Sequence, residues 1–377
     1  MGATVYKIEK YGVGDELRHS PPFLHDDAGR ATPDSIPFLT VNRGKYSLTI
    51  DFTKPQGQAL LQKLAARCDV LVENFKVGDL QRYGLDYDSI RALNPGIVYC
   101  SVTGYGQEGP SAAQPGYDPV FQAISGIMST CGIPDGQPGA GPMRAMMPFV
   151  DVMTGMVATS AVLGALYHRQ ATGEGQYLDI ALLDVALAAT VYVGQKYLSS
   201  GQLPTRVGNG SLLFAPSNCY RCLDGHILIQ IGNDLQWARL CKFLGQEAWL
   251  SEAAFATNGD RVKNAAQLDQ RISAITAQWK KQALADGLGA IGVPCGPVND
   301  IAQAFDHPQV KHRQLRMEVA HPVYGKLPMI RSPLRFSETP LTYRAPPSLG
   351  ADTSAVLRDE LGLDEGVLAG LRDIQVI

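Results

Sequence analysis

The alternation of strand-like and helix-like segments near the start of the chain constrains its fold more than any other feature. Five segments alternate in this way: strands at 46–52, 69–75 and 97–102, and helices at 53–67 and 87–93. A helical crossover between two strands lets the strands run parallel in one sheet. The sequence therefore predicts an α/β fold whose large domain is built on a parallel sheet.

The pattern changes after residue 200, where residues 218–222 and 226–231 flank an Asp224-Gly225 turn and predict an antiparallel hairpin. Predicted helices follow, and together these elements indicate a smaller α+β domain. The predicted organisation is a large domain at 1–199, a linker at 200–217, the small domain at 218–305, and a return linker with the C-terminal part of the large domain at 306–377.

Several other segments carry local signals for one structure. Polar, Pro-containing residues 11–37 predict a long loop, and residues 3–9 and 176–182 predict strands. Apolar residues at helical spacing predict single helices at 118–129, 184–199, 236–244, 264–278, 281–290 and 353–371.

Charge and cysteine content exclude several classes of partner. The 377 residues include 33 basic and 36 acidic residues, a balance that disfavours nucleic acid or an anionic membrane as the main partner. No uninterrupted run of 18 apolar residues appears, which favours a soluble protein. The seven cysteines, an odd number, fit reduced thiols in a cytoplasmic protein, and the lone Cys219-x-x-Cys222 pair fits a strand better than a metal site.

Asp151 lies where a helix is predicted to begin. Apolar and small residues from Met156 to Tyr167 recur at helical spacing, and Gly173 and Gly175 mark the end of that helix. A carboxylate at a helix start is commonly an N-cap that accepts hydrogen bonds from free N–H groups. The same position also suits a carboxylate nucleophile, and the residues around Asp151 leave both interpretations open.

A glycine-rich loop, residues 103–110, follows the predicted strand at 97–102. Open α/β sheets bind their ligands at the C-terminal ends of strands, so this loop is a candidate ligand site. It is not a complete dinucleotide fingerprint because no helix follows it directly, which makes a nicotinamide oxidoreductase a remote alternative. A second glycine-rich loop at 134–142 also precedes Asp151.

Taken in order, the motifs of the chain resemble the family III CoA-transferases, whose superfamily includes formyl-CoA:oxalate and carnitine CoA-transferases and the α-methylacyl-CoA racemases. The resemblance covers nearly the whole chain. It rests on GATVYKIEK at 2–10, NRGKYSLTIDFTKPQG at 42–57, the stretch 69–110, GYDPVFQAISGIM at 116–128, D-x-x-T-G at 151–155, LYHRQATGEGQYLDIALLD at 166–184, FATNGDRVKN at 255–264 and HPVYGKLPMIRSPLRFSETP at 321–340.

The resemblance implies a Rossmann-like large domain, an interlaced homodimer and a mechanism centred on Asp151. In such a mechanism the aspartate attacks an acyl-CoA thioester, passes through a mixed anhydride and an aspartyl-CoA thioester, and transfers CoA to a small dicarboxylic or hydroxy acid. By likeness, Gly232 is a candidate backbone donor to the oxyanion. CoA is a substrate, and neither a tightly bound cofactor nor a metal is expected.

The resemblance also implies a set of CoA-contacting residues. Lys10, Lys76 and Arg82 supply cations to phosphate groups, while strand-end loops supply main-chain donors. The full predicted set is Lys10, Ile50, Asp51, Phe52, Thr53, Asn74, Phe75, Lys76, Arg82, Tyr105, Gly116 and Tyr117.

Three departures from the family pattern bear on activity. Tyr117 replaces the histidine of the racemase branch, which disfavours racemase activity because tyrosine is largely protonated near neutral pH. Thr103 replaces a lysine of formyl-CoA-type members. Family members also carry a further strand and helix before Gly2, so Met1 is expected to be an internal methionine, and a truncated, non-catalytic CoA-binding or dimer-partner protein is the alternative.

Overall fold

The computed structural model of the protein describes residues 2–26 and 29–377, so the prediction for Met1 lies outside the described residues. In chain order, the strands are β1 (Val5–Glu9), β2 (Phe23–His25), β3 (Ala31–Ser35), β4 (Lys45–Thr49), β5 (Val70–Glu73), β6 (Val98–Thr103), β7 (Gly132–Ile133), β8 (Gly141–Pro142), β9 (Gln176–Ala181), β10 (Ser217–Cys222), β11 (Gly225–Gln230), β12 (Cys295–Pro297), β13 (Arg316–His321) and β14 (Gly325–Ile330).

The α-helices are given in the same order. They are α1 (Ile36–Val41), α2 (Pro55–Ala65), α3 (Tyr87–Leu93), α4 (Asp118–Ile124), α5 (Ile127–Thr130), α6 (Phe149–Thr172), α7 (Leu182–Ala188), α8 (Val191–Ser200), α9 (Asp234–Phe243), α10 (Asn258–Lys263), α11 (Ala265–Thr276), α12 (Lys281–Ala290), α13 (Ile301–Asp306), α14 (Pro308–His312), α15 (Thr353–Leu361) and α16 (Glu365–Asp373).

The chain forms two compact units. The first comprises Met1–Gly116, Val150–Val185 and Phe305–Ile377, and the second comprises Tyr117–Phe149 and Ala186–Ala304. The second unit thus contains residues 218–304 of the segment predicted as the small domain, 218–305, together with residues that the sequence analysis assigned to the large domain and to the linker.

The first unit contains the parallel strands that the alternating pattern predicts. β1 pairs in parallel with β4, and β6 lies between β5 and β9 with all three strands parallel. The approach of β9 to β6 requires a glycine at 175, because a Cβ there would lie 1.9 Å from the carbonyl oxygen of Ile97. The α/β fold class with a parallel sheet is confirmed.

Two apolar clusters stabilise the first unit. One joins β4 to the C-terminal helices through Leu48, Ile50, Leu357 and Leu368. The other packs α3 against β6 and contains Ile90, Ile97 and Tyr99. Removing such side chains from water is the main favourable contribution to folding, so these clusters fix the strands whose C-terminal ends carry the predicted ligand residues.

The second unit contains the predicted hairpin. β10 and β11 are antiparallel and meet at the Asp224-Gly225 turn, and β12 pairs with the other edge of β11. Helices α9, α11 and α12 cover the core of this unit through residues such as Trp237, Leu268 and Leu284. The fully buried Arg261 lies beside Trp237, with its guanidinium carbon 5.0 Å from the ring centroid.

The prediction of a long loop at 11–37 is wrong. This stretch contains a 3-10 helix at Glu16–His19, the short antiparallel pair of β2 and β3, and the start of α1. α1 begins with Pro at its first turn, where the missing N–H of proline costs nothing, and Ser35 caps it by accepting from the N–H of Phe38.

Three predicted single helices are each divided in two. The segment 118–129 breaks at Gly126 (φ 83°), the segment 353–371 breaks at Gly362 (φ 66°), and the segment 184–199 breaks before Val191 (φ 45°). Glycine adopts this left-handed conformation without steric penalty, whereas valine does not.

α6 is long and apolar. An 18-residue window within Phe149–Thr172 has a mean hydropathy of 1.7, and 17% of that window is buried. By length and composition alone, this helix passes the test for crossing a membrane. One such helix in the described part of the chain is weak evidence, because a core helix of a soluble protein passes the same test.

Candidate active site

Asp151 lies in the first turn of α6, two residues after the helix begins, so it is not the N-cap residue. Asp151 is exposed to solvent. The unpaired N–H groups of the first turn and the helix dipole both stabilise a negative charge at this position. An accessible, electrostatically supported carboxylate is what nucleophilic attack by an aspartate requires.

Two buried neighbours fix the helix turn that carries Asp151. Val150 is fully buried, and the buried Thr154 donates its hydroxyl to the carbonyl oxygen of Val150 at 2.7 Å. The threonine of the D-x-x-T-G motif is therefore engaged within the helix and does not point its hydroxyl donor at a ligand. Its contribution is to anchor the turn while Asp151 remains exposed.

The predicted CoA residues at the ends of β1 and β4 are close together. Glu9 pairs with Thr49 in the parallel ladder, and the Ile50 N–H donates to the Glu9 carbonyl oxygen at 3.1 Å. Lys10, which is exposed, therefore follows β1 beside the start of the 50–53 loop. The Ile50 side chain is 1% exposed and packs in the core, so only its backbone is placed to contact a ligand.

Asp51 shapes this loop by hydrogen bonding. Its Oδ1 accepts from the Thr53 N–H at 3.0 Å and from the Thr53 hydroxyl at 2.6 Å, and these bonds, with Lys54 nearby, lower the pKa of the Asp51 carboxyl. The Asp51 N–H donates to the Val376 carbonyl oxygen at 2.8 Å, and Lys54 Nζ donates to the Ile374 carbonyl oxygen at 2.8 Å. The C-terminal residues thus hold the loop in place.

An aromatic cluster brings the 50–53 loop to the predicted phosphate-binding segments. The Phe52 ring lies 5.7 Å from the Phe75 ring and 5.2 Å from the Tyr83 ring, both edge-on. The Arg82 guanidinium carbon lies 4.7 Å from the Tyr83 ring centroid and remains largely exposed. Ring contacts thereby link Phe52, Phe75 and Arg82, and Tyr83, which the sequence analysis missed, joins Phe52 to Arg82.

Lys76 lines a cavity of about 340 Å³ beside this region. Asn74 and Phe75 precede it on the exposed segment after β5, where the Phe75 N–H donates to the Glu73 carboxylate at 2.7 Å. The other lining residues are Glu73, Gly78, Leu80, Gln81, Asp86, Tyr87, Asp88, Tyr99, Ser101, Gln107 and Tyr177. The three tyrosines in this lining, Tyr87, Tyr99 and Tyr177, are in mutual ring contact and form an aromatic wall of the cavity.

The loop after β6 carries Tyr105, which is half-buried. The Gln107 N–H donates to Asp179 Oδ2 at 3.0 Å, and the Gly104 carbonyl oxygen accepts from the Leu183 N–H at 3.0 Å. These bonds tie the glycine-rich loop to β9 and to the start of α7, so the loop is held at the C-terminal edge of the sheet.

The remaining predicted residues lie at the unit boundary or in the second unit. Gly116 is the last residue of the first stretch of the first unit, and Tyr117, 78% exposed, begins the second unit. Gly232 is exposed, and its N–H donates to Gln236 Oε1 at 2.8 Å, while Asn233 caps α9 by accepting from the Gln236 N–H at 2.9 Å. The proposed oxyanion donor thus already has an acceptor from its own helix.

The exposed Asp151 in the first turn of α6 and the exposed cations and aromatic rings at the strand ends are the residue types that an aspartate nucleophile and an anionic substrate require. The sequence profile described as CoA-transferase family III matches residues 1–353. The chain belongs to CoA-transferase family III, so the family resemblance is confirmed and the protein is an enzyme of the CoA-transferase class.

Relatives and solved structures agree with this assignment. The chain is 41% identical to the succinate–glutarate CoA-transferase of Agrobacterium fabrum, covering 95% of this chain and 89% of that protein. It is 35% identical to the succinyl-CoA:glutarate CoA-transferase of Mus musculus, covering 98% of this chain and 83% of that protein. A crystal structure of a CaiB/BaiF family protein from Brucella suis superposes with a TM-score of 0.84 at 38% identity, covering 95% of this chain and 92% of that one.

Proposed function

We propose that the protein transfers CoA from an acyl-CoA thioester to a small dicarboxylic acid, with Asp151 as the covalent carrier. The observation that carries the proposal is the placement of Asp151, exposed in the first turn of α6 on a turn anchored by Val150 and Thr154. A carboxylate becomes an effective nucleophile when the scaffold holds it in a reactive geometry and the site excludes water.

Each step of the proposed cycle balances. An Asp151 carboxylate oxygen attacks the thioester carbonyl, and the CoA thiolate leaves, which gives a mixed anhydride. The thiolate attacks the aspartyl carbonyl and releases the donor acid, so the enzyme holds an aspartyl-CoA thioester. The acceptor carboxylate displaces the thiolate to form a second anhydride, and the thiolate then attacks the acceptor's carbonyl and frees the Asp151 carboxylate.

The acceptor class is supported by what the relatives are called. The proteins from Agrobacterium fabrum and Mus musculus are both named for exchange between succinate and glutarate, which are dicarboxylates. The cationic region around Lys10, Lys76 and Arg82 supports binding of the CoA phosphates, since guanidinium and ammonium groups pair strongly with phosphate.

We also propose that the active form is an interlaced homodimer. α6 exposes Val152, Met156, Leu163 and Tyr167, each more than half exposed. A helix that is apolar around most of its circumference requires a covering surface, and a second copy of the chain supplies one. A monomer whose mass by light scattering does not change with concentration would contradict this proposal.

Trapping experiments on the full chain test the catalytic proposal. After incubation with succinyl-CoA, hydroxylamine is expected to modify Asp151 in the wild-type protein, detected by peptide mass spectrometry, because it cleaves activated acyl groups. Asp151→Asn should abolish both the adduct and CoA transfer to glutarate. The matched control is Asp184→Asn, which removes an exposed acid from the first turn of α7 and should retain activity.

The outcome that would reject the proposal is transfer by Asp151→Asn at the wild-type rate, or an adduct on another residue. Exchange of an α-proton with deuterated water in the absence of any acceptor acid would instead indicate the racemase alternative. Tight CoA binding without turnover would indicate the non-catalytic alternative.

A further inference from the structure

A polar cavity lies on the hairpin formed by β13 and β14, and it is called the arginine pocket below. Its volume is about 530 Å³. It shares no lining residue with the predicted CoA set. The lining residues are Gln314, Arg316, Met317, Glu318, Val319, Ala320, Arg331 and Tyr343, all within the first unit.

Positive charge dominates this pocket. Arg316 and Arg331 line it, and Arg43 approaches from the segment before β4, with its guanidinium carbon 5.5 Å from the Tyr343 ring centroid. Glu318 is the acidic lining residue, and its carboxylate already pairs with Lys326 at 3.2 Å. Across residues 2–26 and 29–377, neither Arg43 nor the two lining arginines forms an ion pair with a carboxylate.

Arg331 carries the strongest indication of a ligand. Its backbone N–H donates to the Leu315 carbonyl oxygen at 2.8 Å, which extends the ladder between the two strands and fixes the residue. Its Nε is buried, and none of the described residues accepts a hydrogen bond from that atom. A buried donor on a charged group is costly unless an acceptor satisfies it.

Gln314 lines the rim of the pocket, just after the end of α14. Its φ of 50° is the left-handed conformation that closes this helix, because the Gln314 N–H donates to the Lys311 carbonyl oxygen at 2.9 Å and the Leu315 N–H donates to the Val310 carbonyl oxygen at 3.2 Å. The Gln314 side chain ends in a carboxamide, which can donate to an anion. Guanidinium forks and amide donors together match the oxygens of a carboxylate or a phosphate.

We propose that the arginine pocket binds a small oxyanion with two negative charges, a phosphate or a dicarboxylate, through Arg316 and Arg331. Such a ligand offers acceptors to the Arg331 Nε–H and a counter-charge to Arg43 and Arg331, whose guanidinium carbons lie 5.5 and 5.8 Å from the Tyr343 ring centroid. The proposal goes beyond CoA transfer and does not depend on the role of Asp151.

Calorimetric titration of the full-length protein with inorganic phosphate, in low-salt chloride buffer, tests the proposal. Saturable binding at one site per chain is expected for the wild type. Arg331→Gln and Arg316→Gln should each weaken it by about tenfold or more, the loss expected when a charge-assisted hydrogen bond is removed. The matched control is Arg335→Gln, which removes the same charge from the same segment, where Arg335 donates to the Arg313 carbonyl oxygen outside the pocket.

Succinate is then titrated against the phosphate-loaded protein. Displacement at similar concentration identifies a dicarboxylate site, and lack of displacement identifies a site selective for phosphoryl oxygens. Should Arg331→Gln fail to fold, two other variants take its place. One is Arg316→Gln, and the other is Arg331→Lys, which keeps the positive charge but loses the guanidinium fork. No saturable phosphate binding to the wild type, or equal weakening in Arg335→Gln, would overturn the proposal.

Discussion

Arg261 gives the sharpest test of what stabilises the second unit. Its wholly buried guanidinium donates from Nε to the Ala215 carbonyl oxygen at 2.8 Å and from one terminal nitrogen to the Phe255 carbonyl oxygen at 3.2 Å. The other terminal nitrogen donates to Asp234 Oδ1 at 2.9 Å. We expect Arg261→Met, which keeps the apolar stem, to destabilise this unit strongly.

The magnitude follows from which partners remain buried. Ala215 and Phe255 are buried, so each carbonyl oxygen is left without its hydrogen-bond donor, at a cost of about 1–3 kcal/mol. The Asp234 side chain is 77% exposed and is rehydrated at little cost. Together these terms predict a loss of about 4 kcal/mol in the free energy of unfolding.

Arg271→Met is the matched control. Arg271 also lies in the second unit, and it donates to both carboxylate oxygens of Glu252 at 2.9 Å, but its side chain is 36% exposed. Solvent screens such a pair, so its removal should cost less than about 1 kcal/mol.

Urea unfolding followed by tryptophan fluorescence measures both effects. The three tryptophans of the chain, Trp237, Trp249 and Trp279, all lie in the second unit, so the signal reports on that unit. With a denaturant slope of about 2 kcal/mol per M, Arg261→Met should lower the midpoint by roughly 2 M and Arg271→Met by less than about 0.5 M. Equal shifts, or a loss below about 1 kcal/mol for Arg261→Met, would refute the reasoning.

Other variants test the site and the first unit. If the Gly232 N–H binds the oxyanion, Gly232→Pro, which removes that N–H, should lower kcat by about 10²–10³-fold. Gly232→Ala keeps the N–H, and its Cβ would lie 3.5 Å from Gln236 Oε1, so this variant should keep most activity. Equal losses of kcat in the two variants would contradict a role for the N–H. Lys76→Ala should raise KM for acyl-CoA about tenfold with little change in kcat, more so at low salt, and a loss confined to kcat would contradict phosphate binding. Burial raises the pKa of the Glu9 carboxyl, but hydrogen bonds from Arg18 and Ser47 outweigh this effect and lower the pKa below 4.5. The stability that the ionised Glu9 contributes is therefore present above pH 4.5, and it is lost as the pH falls through the lowered pKa. Glu9→Gln should therefore reduce the midpoint of thermal unfolding at pH 7 and flatten its acid dependence, and an unchanged acid limb would count against this explanation.

Sequence reasoning recovered those parts of the fold that depend on local periodicity. The bounds of α3, 87–93, agree with the structure because a short apolar repeat lies between an N-terminal Asp86 and Asn94. The hairpin of β10 and β11 was predictable from Asp224-Gly225, a dipeptide that adopts tight turns. Gly362 and Gly126 could have marked the helix breaks, since both adopt positive φ.

Other features depend on contacts that are distant in sequence. No glycine or proline stands at the break before Val191, so helical spacing predicts one continuous helix there. Tyr83 contacts Phe52, a predicted CoA residue, and no local sequence pattern contains this tertiary contact. The hydrogen bond between Gln236 and Gly232 could have been predicted from the sequence, because Asn233 followed three residues later by Gln236 resembles a capping box.

The anchoring of the 50–53 loop by residues 374–377 has a practical consequence. Val376 and Ile377 are buried against β4, and the backbone of 374–376 accepts hydrogen bonds from Asp51 and Lys54. A truncation after residue 373 would therefore loosen the 50–53 loop, a predicted CoA-binding segment that lies more than three hundred positions earlier in the chain. Expression vectors that alter these last residues are therefore expected to lower the stability of the first unit and, if the 50–53 loop binds CoA, the coenzyme affinity as well.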